Sequence, residues 1–145
     1  MRRPVAFVTA VVLFVEAVGI VLLNGVLATV AGNQRMSLAG MDPDAMVTGT
    51  WVMGGVSGVL LVLCGLIPLL AGIRDRSPGR LGRITLIACA VVHGVLGALA
   101  VGLIGWAAFA FLMAVLALIV LTLVAFDRRE PEAVESGAGA APEPA

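Results

Sequence analysis

The chain has 145 residues, of which 61% are hydrophobic and only 12% charged, and its formal net charge is zero. A soluble domain carries about 25% charged residues, so this composition excludes an ordinary globular protein and makes lipid the main solvent. The charge balance leaves no basic face for nucleic acid, since the nine basic residues are all arginines spread along the chain.

Apolar runs of about twenty residues cross a ~30 Å hydrocarbon core, and four such runs follow one another. The expected architecture is therefore all-α: a four-helix transmembrane domain over 1–126. Span one covers about 5–31 and opens after Pro4, a residue tolerated in a first helical turn. Its start, MRRPVAFVTAVVLFV, has the charged-then-apolar order of a signal peptide. The apolar run exceeds an h-region of about 7–15 residues and no A-x-A site follows, so a retained span is expected.

Span two covers about 45–73. MDPDAM supplies its start, with Asp42 as N-cap, Pro43 at the first position and Asp44 favoured by the helix dipole. Pro68 removes a backbone donor and is expected to kink its inner half. Spans three (about 84–104) and four (about 106–126) are joined by GLIGW, too short for anything except a tight hairpin. Residues 127–145, rich in Pro, Glu, Ala and Gly, have little to bury and are expected to form a disordered tail.

Eight of the nine arginines flank one side of these spans: Arg2, Arg3, Arg74, Arg76, Arg80, Arg83, Arg128 and Arg129. Only Arg35 falls in the first loop. By the positive-inside rule both termini are then cytoplasmic, in a plasma (inner) membrane protein, and Trp51 and Trp106 fall near the outer interface. Single cysteines at Ser37 and Ser136, in a background lacking Cys64 and Cys89, test this with an impermeant thiol reagent on intact cells. Ser37 should label and Ser136 should not; the opposite pattern reverses the topology.

Helices gain little in lipid by hiding apolar surface and associate where small residues let backbones approach. Span two carries Gly58, Gly65 and Gly72 at steps of seven, with Gly54 one turn before Gly58. Span three carries Ala90, Gly94, Ala98 and Gly102 at steps of four. Both sets are expected to be helix-packing faces, serving either one four-helix bundle or a homodimer seam. Span four has no glycine and is expected to face lipid more than its neighbours.

Two strongly ionisable side chains lie inside the spans, Glu16 and His93. Charge at the bilayer centre is costly, so such groups face the bundle and take a partner. Glu16 lies about 16 Å and His93 about 14 Å along spans that start on the same side, at 1.5 Å per residue. The matching depths suit a polar pair that fixes helix register, a proton-titrating site, or two independently satisfied groups. Cys64 and Cys89, isolated in apolar runs without metal-ligand spacing, read as small core residues. One histidine and no nucleophile–base–orienter set leave no metal, cofactor or catalytic site to expect. The outer loop, 32–42, mixes Met36, Leu38 and Met41 with polar residues and suits a segment resting at the membrane interface.

EAVGIVLLN (16–24) resembles the E-x-x-G-x-x-L-x-K stretch of the small multidrug-resistance transporters. Glu16, Gly19 and Leu22 match, while Asn24 stands where that family has lysine. The resemblance implies a carboxylate, Glu16, that alternately binds protons and cationic substrates in a dimer. As a whole the chain resembles small four-span membrane proteins of unknown function from high-GC bacteria. The expected role is a non-catalytic accessory or interaction subunit, with membrane lipid and a second copy or larger membrane protein as partners. The alternative is a small proton-coupled transporter working as a dimer through Glu16.

Overall fold

A computed structural model describes residues 2–34, 40 and 42–127. The outer-loop residues Arg35, Met36, Leu38 and Met41 lie outside the described residues, as does the expected tail from 128 onward. Four helices follow in order: α1 (Arg2–Gln34), α2 (Pro43–Arg74), α3 (Arg80–Leu103) and α4 (Trp106–Asp127). Each is long and apolar enough to cross a membrane, and no strand occurs among the described residues.

The helices extend beyond the apolar spans because backbone hydrogen bonding continues where side chains turn polar. Asp42 caps α2: its carboxylate accepts from the Asp44 N–H at 2.9 Å, and Pro43 follows at the first turn. Asp75 ends α2 in the left-handed region at φ 50°. Its carboxylate meets Arg3 at 3.4 Å, which ties the start of α1 to the end of α2. Both partners are exposed, so the pair contributes at most about 1 kcal/mol. Between α3 and α4 the chain reverses at Gly105, where φ is 116°, a conformation that a side chain would strain. There the Ile104 and Gly105 N–H groups both donate to Ala100 O, at 2.9 and 2.8 Å.

The tightest seam joins α1 to α2. A Cβ built on Gly54 would lie 2.5 Å from Asn24 Cβ, and one on Gly58 2.5 Å from Val21 Cγ2. Gly65 faces Phe14 and Leu13, and Gly72 faces Ala6 and Phe7. Gly54, Gly58, Gly65 and Gly72 of α2 therefore run antiparallel along α1 inside one chain. α2 continues unbroken through Pro68, which is buried.

On α3 the buried face differs from the expected one. Leu86, Cys89, His93, Gly97 and Ala100 are buried, whereas Ala98 and Gly102 are exposed and Ala90 and Gly94 only half-buried. Gly97 makes the close approach to α4, against Met113, Leu112 and Phe109; Gly94 merely touches Leu116, and nothing lies within 4 Å of a Cβ on Gly102. The physical reason is that hydrocarbon solvates a smooth helix face as readily as a rough one, so small residues do not by themselves choose the inside. A polar side chain does choose, and His93 turns its own face inward.

α4 is the least buried of the four helices. It contributes Val115, Ile119, Thr122 and Phe126 to the interior, a stripe at helical spacing. Thr122 faces Thr9 of α1 with hydroxyl oxygens 2.9 Å apart, and the carbonyls of Val5 and Leu118 lie close by as further acceptors. Such interhelical bonds contribute about 0.6 kcal/mol each on average in membranes. Trp106 is largely exposed and stacks edge-on against Phe109, with ring centroids 5.8 Å apart. The core proper is one cluster of Leu13, Cys64, Leu86, Cys89, Val115 and Ile119. α1 packs on α2 and α4, and α3 packs on α4, but α2 and α3 barely touch. The bundle is open along that fourth side.

Candidate intramembrane site

The open side is where the two ionisable groups meet. His93 Nε2 lies 3.0 Å from Glu16 Oε2, across the diagonal from α3 to α1. The His93 side chain is 3% exposed and that of Glu16 14%, so the carboxylate is the more exposed of the two, and both line the opening. The other ring nitrogen, Nδ1, lies 2.8 Å from the carbonyl oxygen of Cys89, one turn back on α3.

A proton tally follows from these two contacts. A carbonyl oxygen only accepts, so Nδ1 carries a hydrogen and donates it to Cys89 O. The remaining contact, Nε2 to Oε2, then holds a single proton. It rests either on Glu16, as a neutral acid donating to a neutral imidazole, or on His93, as an imidazolium donating to a carboxylate. Both forms are neutral in sum, which is how two ionisable groups can share a low-dielectric interior.

Around the pair lies a groove of about 580 Å³ between α2 and α3, walled mostly by apolar side chains. On α3 its lining runs from Thr85 to Leu103, a rise of about 27 Å, close to the thickness of the hydrocarbon core. Leu60 and Ser57 line the α2 wall and Leu96 the α3 wall. The volume falls within the ~300–1,000 Å³ range of small-molecule sites.

The two cysteines also come together here. Both are buried, both line the groove, and both belong to the same core cluster although they sit on different helices, α2 and α3. Cys89 Sγ is 3.6 Å from His93 Nδ1. They are core residues, as their apolar surroundings suggest, but they are not isolated from one another. Half of that signal is in the sequence: Cys89 precedes His93 by four residues and so shares its face. The other half is not, because the rotation of α2 relative to α3 is set by packing on α1. Among the described residues no group of three or more His, Cys, Asp or Glu side chains is arranged to hold a metal ion.

The remaining residues of the transporter-like stretch lie away from the groove. Nothing comes within 4 Å of a Cβ on Gly19, and Leu22 is exposed. Asn24 donates to Ile20 O at 2.9 Å and packs on Gly54. No family model matches the chain, and no curated protein or solved structure matches it either. The fold and the site define an all-α, multi-pass membrane protein with a polar pair on an open helix seam.

Proposed function

We propose that this is a plasma (inner) membrane protein with cytoplasmic termini that works by binding, without catalysis, as an accessory or interaction subunit. One observation carries the reading: the bundle is left open between α2 and α3, and its polar pair adjoins that opening rather than a closed core. A membrane partner, either a larger membrane protein or a second copy, covers the seam. The test is purification from the native membrane in mild detergent, comparing wild type with Leu96→Trp, which fills the groove, and Val91→Trp, which adds the same bulk on an exposed face away from it. The co-purifying protein should be lost from Leu96→Trp and kept by Val91→Trp. Equal retention by both, or a wild-type chain that travels alone, sinks the reading.

A second reading, a small proton-coupled transporter acting as a dimer through Glu16, draws on the shared proton of Glu16 and His93 beside an accessible groove. In proteoliposomes it requires substrate-dependent proton movement that Glu16→Gln abolishes.

A further inference from the structure

The chain has two cysteines, on different helices, and the fold brings both to the lining of one groove and into one buried cluster. We propose that Cys64 and Cys89 form a reversible dithiol–disulfide site within the membrane, oxidised by a lipid-soluble quinone that enters through the α2/α3 groove. The inference rests on the thiol pair and its access, concerns the chain with its seam open to lipid, and does not rest on the partner-binding reading.

Three features carry it. The first is proximity across a loose seam. A disulfide needs Cα atoms about 4.4–6.8 Å apart and tolerates little misdirection of the Cβ vectors. Both cysteines sit in one buried cluster beside the groove, and α2 and α3 have few other contacts to resist closing by the distance the bond requires. The second is depth. Cys64 lies nine residues inside the end of the apolar span of α2 and Cys89 five residues inside the start of that of α3, about 14 and 8 Å into the apolar layer. Water-soluble disulfides and peroxides are poorly soluble there, so the oxidant has to come from the lipid phase. The third is the groove itself, open sideways and apolar, with a volume of about 580 Å³ that suits a flat ring with part of an isoprenoid tail. Ser57 on its α2 wall offers a hydroxyl to a ring carbonyl.

The step balances within that inventory. Two S–H bonds break and one S–S bond forms. The two electrons and two protons released reduce the quinone to its hydroquinone, one per chain. The product disulfide pins α2 to α3 across the side of the bundle that is otherwise open, so the oxidation state of the pair sets the width of the groove.

The experiment uses the full chain in nanodiscs, reduced, freed of reductant and kept anaerobic, with a short-chain naphthoquinone as probe. Intact mass should fall by two hydrogens, both thiols should become unreactive to maleimide after denaturation, and one hydroquinone should appear per chain. Oxidised glutathione should react at least about tenfold more slowly, because access controls thiol exchange. Cys64→Ser and Cys89→Ser should each keep one free thiol and yield no hydroquinone, while the wild-type mass change remains decisive if either variant folds poorly. Thiols that stay titratable after quinone treatment overturn the proposal. So do disulfides formed only between chains, oxidation by glutathione as fast as by quinone, or a faster reaction with a lipid hydroperoxide.

Discussion

Gly58→Leu is expected to pry α1 away from α2, with a loss of thermal stability in detergent that its neighbour Gly55→Leu does not share. A side chain at residue 58 meets Val21 Cγ2 at 2.5 Å from its first carbon, with the Ala17 carbonyl oxygen next at 3.5 Å. Overpacking costs about 1–3 kcal/mol. The upper end applies here, because the β-branched Val21 has little rotamer freedom with which to yield and the backbone of α1 stands behind it. Gly55, one turn of the wheel away, is exposed and has nothing within 4 Å. Leucine there should gain helix propensity of roughly 0.5–1 kcal/mol over glycine. Gly97 tests the same logic in a softer setting. Its nearest obstacle is also at 2.5 Å, but it is Met113 Cε, the free end of a flexible side chain. Gly97→Ala should therefore cost much less than Gly58→Ala. Equal stability losses at residues 55 and 58, measured by thermal unfolding in one detergent, would show that the glycine face of α2 does not seat α1.

That contrast marks how far the sequence can be read. Four helices were legible because lipid leaves the backbone few alternatives, and the start of α2 was legible because Asp42, Pro43 and Asp44 each perform a local task. The α2 glycines spaced by seven also found their use, since they pack along α1 from Asn24 to Ala6. The Ala90/Gly94/Ala98/Gly102 stripe misled. Spacing alone names a smooth face without saying which way it looks, and on α3 that direction was decided by His93. The residues one turn either side of the histidine, Cys89 and Gly97, are buried, while Ala98 and Gly102 look outward. In a membrane helix the polar residue is the better compass, because misplacing it costs more than misplacing an alanine. The meeting of Cys64 with Cys89 had no local signature. It depends on how α2 and α4 are each rotated against α1, which only the packed bundle fixes.

The same compass led to Glu16, and the proton tally sharpens what its removal should do. Glu16→Leu and His93→Leu are each expected to destabilise the bundle, and the double variant to cost about 1–2 kcal/mol less than their sum. Breaking a buried ion pair in a soluble protein costs about 3–5 kcal/mol, because a charge is left behind. Here the pair is neutral in sum, and an ionisable group left alone in low dielectric can shed its charge. What is lost is then nearer an interhelical hydrogen bond, up to about 1.7 kcal/mol in membranes. Glu16→Gln separates the two placements of the shared proton. With Nδ1 donating to Cys89 O, Nε2 can accept from the Gln amide as it would from a carboxylic acid. A neutral acid–imidazole pair should therefore tolerate glutamine far better than leucine, whereas an imidazolium–carboxylate pair loses its counter-charge to both. The infrared band of a protonated carboxyl, absent from Glu16→Gln, reports independently where the proton rests. A thermodynamic cycle additive within about 0.5 kcal/mol would mean that the 3.0 Å contact between Glu16 and His93 contributes nothing to holding α1 against α3. It would also remove the one structural feature that favours a proton-coupled transporter.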